Sequence, residues 1–312
     1  MYMTVESGYR ATIPTLNDIN MNEMCNEIIN WIAKMKTTIL WIATVALATP
    51  SLSADWTDLT VKWNNTDSLR LDSWYGIPIT QSAAEIQNWV QLPEGTVFHG
   101  TTTYCMEDDH HFCTLFDGYG NIAGFQWALT KAEVTRVQEC YNMSAIVTYE
   151  EKTLFGKPCW TVTILTVSPD TIAAGGRSDA ANVLGTNGVW IVTRNGYVVV
   201  PKNIEDLDPV WKKGICIPAM GTHYYYGMSP TMACDNYQPV VLLYNNGTLS
   251  ATVFQTFGET IPIERQWYEH FSFTVIKTII PIAPQCLVDL AEKYGVISMH
   301  VFFENQPWNT KC

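Results

Sequence analysis

Alternating hydrophobic and polar positions run through much of the chain and predict short antiparallel strands joined by turns. Three segments each have two apolar arms around a turn sequence rich in Asn, Asp and Gly, which is typical of a β-hairpin. They are 113–129 around Asp117–Asn121, 188–200 around Asn195-Gly196, and 240–257 around Asn245-Asn246-Gly247. A run rich in β-branched residues, 157–167, predicts another strand. The predicted fold class is mainly β (α+β), with hairpin-rich antiparallel sheets in a sandwich or barrel-like arrangement.

Helical signals are fewer and short. Ser82 and Thr130 are each followed three residues later by a glutamate, the pattern of a capping box, and predict helices over 82–92 and 130–140. A third helix is predicted over 284–294, followed directly by a glycine. After it, 294–304 alternates with period two, which predicts a strand with His300 and Glu304 on one face. We therefore expect a few short helices to flank the sheets.

The N-terminal region contains the parts of a signal peptide, although they begin at Met35. Lys36 precedes an apolar run over 39–48, and small residues follow it at Ser51, Ser53 and Ala54. We interpret 35–54 as a signal peptide, 1–34 as a non-native N-terminal extension and 55–312 as the secreted globular domain, which would begin at Ala54 or Asp55. Two alternatives are a membrane anchor over 28–48, which would bury Lys34 and Lys36 in hydrocarbon, and a cytosolic protein whose residues 1–34 form an amphipathic helix.

The cysteines and the glycosylation sequons support secretion. Removal of everything before residue 54 discards only Cys25 and leaves eight of the nine cysteines, an even number that suits a framework of disulfides. Pairing between near neighbours predicts four bonds: Cys105–Cys113, Cys140–Cys159, Cys216–Cys234 and Cys286–Cys312. Sequons for N-linked glycans begin at Asn64, Asn142 and Asn246. The expected product is a secreted, disulfide-bonded glycoprotein.

Composition and net charge limit the kinds of molecule that the protein is expected to bind. Hydrophobic residues make up 47% of the chain, enough for a globular core, and the formal net charge is −12. Such a charge disfavours nucleic acid and anionic membranes, so we expect neither nucleic-acid binding nor stable membrane insertion after signal cleavage. A faint internal similarity and the glycine-containing stretch 171–179 leave open a division of the domain into halves, 55–172 and 173–312.

Four histidines are candidates for metal binding. His110 and His111 lie in the acidic segment between Cys105 and Cys113, and imidazole and carboxylate are both ligands for zinc or copper. His223 and His300 lie among aromatic residues. One hypothesis joins His223, His300 and one of the adjacent pair in a single metal site. The alternative interpretation is a solvated acidic loop together with two structural, hydrogen-bonded histidines.

The sequences "CIPAMGTHYYYGM", "LLYNNG" and "YGVISMHVFF", followed by a terminal cysteine, resemble a family of secreted, cysteine-containing invertebrate proteins of unassigned function. The resemblance covers roughly residues 95–312. It implies secretion and one disulfide-bonded unit, and it implies no activity.

Sequence templates for catalysis are absent. The chain has no G-x-S-x-G elbow, no H-E-x-x-H helix and no Walker or dinucleotide fingerprint. If all eight cysteines pair, none remains as a nucleophile. The predicted function is that of an extracellular protein that binds an unknown ligand or protein. A metal-dependent extracellular enzyme that uses His110 or His111, His223 and His300 is the first alternative, and a structural component of an extracellular matrix or secretion is the second.

Overall fold

A computed structural model describes residues 55–62, 73–93, 98–178, 184–185, 187–258, 265, 267–271 and 273–312. These residues belong to one compact unit. The predicted extension, the signal peptide and the sequon at Asn64 lie outside the described residues. Within the described ranges, no helix has both the length and the apolar character needed to span a bilayer.

The protein is mainly β, as predicted, with two antiparallel sheets of eight strands each. In the first sheet the strand order is β11-β12-β13-β14-β16-β1-β2, and β15 pairs with β16. Its strands are β1 Leu59–Lys62, β2 Trp74–Ile77, β11 Trp211–Ile217, β12 Gly221–Tyr226, β13 Val240–Asn245, β14 Thr248–Phe257, β15 Glu269–Phe271 and β16 Val296–Phe302.

In the second sheet the order is β10-β9-β8-β6-β5-β4-β3, and β7 pairs with β8. Its strands are β3 Trp89–Gln91, β4 Thr102–Met106, β5 Phe112–Phe116, β6 Ile122–Thr130, β7 Glu150–Leu154, β8 Lys157–Leu165, β9 Gly188–Thr193 and β10 Gly196–Pro201. The three predicted hairpins are β5–β6, β9–β10 and β13–β14. At the last of them, Asn246 and Gly247 both have positive φ, 48° and 78°, as a two-residue type I′ turn requires.

The described residues contain five short helices: α1 Gln81–Ile86, α2 Thr135–Gln138, α3 Pro169–Ala173, α4 Phe273–Ile279 and α5 Gln285–Tyr294. The prediction over 284–294 is confirmed by α5, which ends where Gly295 takes a φ of 79°. The prediction over 82–92 was too long, because the chain turns into strand β3 after α1. The cap was also misassigned, since the Thr80 side chain, rather than Ser82, accepts from the Ala83 N–H.

The predicted capping box at Thr130 and Glu133 forms without starting a long helix. The Thr130 N–H donates to Glu133 Oε2 at 2.6 Å, and the Glu133 N–H donates to Thr130 Oγ1 at 3.2 Å. Only α2 is α-helical within the predicted span 130–140. Glu133 instead takes part in a buried charge cluster described below.

The two sheets pack face to face through aromatic side chains. The rings of Trp127 in the second sheet and Phe254 in the first lie 5.7 Å apart, and both residues belong to one continuous core. Strands β1 and β2 pair within the sheet that contains the C-terminal strands, whereas β9 and β10 complete the other sheet. The sheets therefore do not follow the division into halves 55–172 and 173–312.

Three disulfides are present among the described cysteines, and only one of the predicted pairs is correct. Cys105–Cys113 forms between neighbouring strands as predicted. The pairs Cys216–Cys234 and Cys286–Cys312 were wrong, since the bonds are Cys216–Cys312 and Cys234–Cys286. The predicted bond Cys140–Cys159 is also absent, because both of these cysteines are free thiols.

The free thiols give a direct test of this arrangement. Cys140 is exposed and Cys159 is buried, and burial raises the pKa of the Cys159 thiol to about 11. Without reductant, a maleimide should therefore label Cys140 in the folded protein and Cys159 only after unfolding in urea, as read by peptide mass mapping. Recovery of a Cys140–Cys159 disulfide peptide would contradict the structure.

Candidate ligand pocket and two buried charge clusters

A row of side chains crosses the first sheet on its outer face, the face that points away from the second sheet. Val241 pairs with Val253, Val253 pairs with His300, and His300 pairs with Lys62. Side chains directly opposite each other on paired strands lie on the same face. Phe254 is the next residue after Val253 and points the other way, into the core between the sheets. The row therefore belongs to the outer face.

A cavity of about 360 Å³ lies on this outer face, and we call it the outer pocket. Most of its walls are apolar, and its polar side chains are those of His223, Gln255 and His300. The full lining is Ile215, Cys216, Ile217, Pro218, Met220, His223, Val241, Val253, Gln255, Ile279 and His300. Ligand sites in proteins commonly combine apolar walls with a few convergent polar groups.

Behind His300 lies a chain of buried charged groups. Lys62 is the last residue of β1 and Glu269 is the first of β15, and both strands pair with β16 along the same edge. This arrangement lets Lys62 Nζ form an ion pair with Glu269 Oε1, while Glu269 Oε2 lies 2.7 Å from His300 Nδ1. The relative exposures of Lys62, Glu269 and His300 are 0%, 1% and 2%. The sheet register thus places a Lys–Glu–His chain against the pocket wall.

This environment keeps the carboxylate of Glu269 ionised. Burial alone would raise the pKa of Glu269, but His300 and Lys62 more than offset that effect and hold the pKa below its usual value. Because Nδ1 of His300 faces the carboxylate, Nε2 is the ring nitrogen left to meet a ligand in the pocket. A histidine next to a buried carboxylate is a common element of binding and catalytic sites.

The other two polar groups of the pocket are uncharged. The ring of His223 lies 6.3 Å from that of His300, almost perpendicular to it, and its Nδ1 is 3.2 Å from the Gly221 carbonyl. Burial, together with the neighbouring His300, lowers the pKa of His223 to about 3, so this imidazole is neutral. The Tyr237 hydroxyl donates to Gln255 Oε1 at 2.7 Å, which leaves the amide N–H groups of Gln255 as donors.

A second buried charge cluster surrounds His111 in the loop before β5. Nδ1 of His111 lies 2.5 Å from Asp109 Oδ1, and Nε2 lies 2.7 Å from Glu133 Oε1. Trp267 Nε1 donates to Asp109 Oδ2 at 2.7 Å, and Thr130 donates to Glu133 from both its N–H and its hydroxyl. Burial would lower the pKa of His111, but hydrogen bonds and charge from the two carboxylates raise it to about 9. The His111 side chain is therefore an imidazolium that lies between the carboxylates of Asp109 and Glu133.

The contacts of His111 oppose metal binding by the cluster around it. Asp109, His110 and His111 form the single group of three potential ligands found in the described part of the chain, with ligand atoms within 4.8 Å of one another. Both nitrogens of His111 already face carboxylates, so a metal ion would have to displace a proton held by two charged partners. We therefore interpret this cluster as an ion-pair network that ties the loop before β5 to Glu133 and Trp267.

Among the described residues, no group of three potential metal ligands joins His223 and His300 to His110 or His111. The four histidines occur as two pairs, and neither His223 nor His300 joins a group of three ligands within the described ranges. His110 and His111 directly precede β5, and their rings lie 4.0 Å apart. Sequence reasoning also missed Lys62, Gln255 and Glu269. A lysine at the end of the apolar strand LTVK was the one available signal.

Comparisons with family models, curated proteins and solved structures found no match to the chain.

Proposed function

We propose that the protein is an extracellular binding protein that holds a small, mostly apolar ligand in the outer pocket. The observation that carries this proposal is the placement of a buried Lys62–Glu269–His300 chain against an apolar cavity of about 360 Å³. Charged groups are costly to bury, and apolar residues of similar volume often stabilise a core better. A fold gains little stability from such a chain, so the chain points to a functional role.

The lining of the pocket favours binding over covalent catalysis. It contains no serine or threonine, and its one cysteine, Cys216, is bonded to Cys312. A covalent mechanism needs a nucleophile within reach of its base, and none of the lining residues supplies one to His300. The polar groups of the pocket can donate to or accept from a bound molecule, which is the requirement for selective binding.

The extracellular location is supported by the disulfides and by the sequons. Three disulfides among the described cysteines suit an oxidising compartment. Asn142 and Asn246 are both exposed, as sites that accept a glycan must be. We propose that the chain is secreted after cleavage of the signal peptide at 35–54 and that these two asparagines are glycosylated.

Filling the pocket tests the proposed function. Ile217 is half-buried at the pocket wall, so Ile217→Trp should occupy the cavity with little loss of stability. The secreted protein is expected to increase the fluorescence of 1-anilinonaphthalene-8-sulfonate, and Ile217→Trp should weaken this binding at least tenfold. Val199→Trp serves as the matched control, because Val199 is 59% exposed and lies outside the pocket. If the reporter binds wild type and Ile217→Trp equally, the pocket is not the binding site.

A further inference from the structure

We infer that the ligand of the outer pocket is an uncharged, apolar molecule with a carbonyl oxygen, and that the side-chain amide of Gln255 donates a hydrogen bond to this oxygen. This inference rests on the proposed function, and it names the chemical class of the ligand. The hydrocarbon body of the ligand lies against the aliphatic walls of the cavity.

The sheet register places Gln255 at the outer pocket. Gln255 follows Val253 by two residues on β14, so both side chains lie on the outer face of the first sheet. Both residues line the cavity. Gln255 is only 9% exposed, and a polar group that is buried without a partner is costly. A bound molecule that supplies an acceptor for this amide is therefore favoured.

The hydroxyl of Tyr237 determines which end of the Gln255 amide is available to a ligand. It donates to Gln255 Oε1 at 2.7 Å, and neither side chain has another hydrogen bond within the described part of the chain. Burial holds the pKa of Tyr237 well above its usual value, so the hydroxyl keeps its proton and remains a donor. Because the amide oxygen accepts from Tyr237, the two N–H groups on Nε2 are left for a ligand.

These donors and the lining of the pocket favour an uncharged carbonyl group. An amide N–H donates and does not accept, so its partner must carry an acceptor such as a carbonyl oxygen. The described lining contains no lysine or arginine, so an anion would meet no permanently charged side chain there. Burial of an ion without a charged partner is unfavourable. The Gln255 amide can donate whatever the protonation state of His300.

The walls and the volume of the pocket define the body of the ligand. Val241, Val253 and Ile279 provide aliphatic surface. The cavity of about 360 Å³ is near the lower limit of about 300–1,000 Å³ for pockets that hold drug-sized ligands. A ketone or an ester with a hydrocarbon chain of medium length meets both requirements.

Equilibrium dialysis of the intact secreted protein against three probes tests the inference. The probes are methyl hexyl ketone, the hydrocarbon in which a methylidene group replaces its carbonyl oxygen, and octanoate, each measured by gas chromatography. The ketone is expected to bind, and octanoate should bind at least tenfold more weakly. The ratio of the ketone affinity to the hydrocarbon affinity is then compared between wild type and variants, which removes the difference in hydrophobicity between the two probes.

A double variant removes the donor without leaving a buried group unpaired. Gln255→Leu combined with Tyr237→Phe replaces both partners by apolar groups, a change that costs less than removal of one partner alone. It should lower the ketone-to-hydrocarbon ratio by about tenfold or more, because the carbonyl loses its donor. Tyr237→Phe alone is the matched control. It retains the N–H groups of Gln255 and should keep the ratio of wild type.

A measurement on wild type alone decides the matter even if the double variant does not fold. The stretching frequency of an isotope-labelled ketone carbonyl, read by difference infrared spectroscopy, should be lower in the protein than in hexane. A frequency equal to that in hexane, an unchanged ratio in the double variant, or tighter binding of octanoate than of the ketone would overturn the inference. The proposed function still stands in each of these cases if Ile217→Trp weakens binding of the fluorescent reporter. If none of the three probes binds and the reporter binds wild type and Ile217→Trp equally, both fail.

Discussion

Replacing Glu269 with alanine is expected to lower the free energy of unfolding by about 3–5 kcal/mol, because it removes a carboxylate that pairs with a buried ammonium group. Lys62 has no exposed surface, and its Nζ forms an ion pair with Glu269 Oε1. His300 also loses the carboxylate that lies 2.7 Å from its Nδ1. The loss is measured by urea denaturation at pH 7, followed by circular dichroism.

Two further variants separate the cost of a broken buried pair from other effects of the substitution. The double variant Lys62→Met with Glu269→Leu removes both charges, and it should be more stable than Glu269→Ala. Glu151→Ala breaks the ion pair between Glu151 and Lys131, whose side chains are 57% and 34% exposed. This change should lower the free energy of unfolding by less than about 1 kcal/mol. If Glu269→Ala costs no more than Glu151→Ala, the buried charge chain is not formed as described.

The elements that sequence predicted correctly depend on local signals. The hairpin at Asn246-Gly247 forms because these two residues accept the positive φ of a type I′ turn. Helix α5 ends at Gly295 for a similar reason, since glycine has no Cβ to oppose a φ of 79°. In both cases, the determinants lie within a few residues of one another. A mainly β fold could therefore be predicted from hairpins and strand patterns.

The disulfides could not be predicted in the same way, because tertiary packing selects the partners. The Ala219 N–H donates to the Thr310 carbonyl at 2.8 Å, so the C-terminal segment lies beside the turn after β11 and brings Cys312 to Cys216. Pairing between near neighbours assumed that each bond closes a short loop. That assumption holds for Cys105 and Cys113, which are paired directly across β4 and β5.

The residues around the pocket also could not be predicted from local sequence, because they come from distant parts of the chain. Lys62 and Glu269 are 207 residues apart in sequence and meet because β1 and β15 both pair with β16. The sequence identified His223 and His300 as residues in apolar surroundings, and the structure places both of them at one cavity. The carboxylate next to His300 comes from a strand of three residues, Glu269–Phe271, whose pattern is too short to be recognised.

Stability is expected to depend on pH through the cluster around His111. The pKa of this imidazole is about 9 in the folded protein and about 6.5 when unperturbed, so the cluster contributes its full stability below about pH 6.5 and loses it as pH rises through about 9. At 1.36 kcal/mol per pKa unit, the full contribution is about 3 kcal/mol. Glu133 and Asp109 have lowered pKa values, so their contribution is present above about pH 4.5 and is lost in acid.

The measurement is the difference in free energy of unfolding between wild type and His111→Gln, taken from urea curves between pH 6 and 9.5. The difference should be about 3 kcal/mol at pH 6 and should fall towards zero above pH 9. The comparison of two proteins is necessary because burial also raises the pKa of Glu304 to about 7, and ionisation of that carboxyl group changes the stability of both proteins alike. His99→Gln, a change at an exposed histidine, should give a small difference that does not vary with pH. A constant difference for His111→Gln across this range would show that His111 is not held as an imidazolium by Asp109 and Glu133.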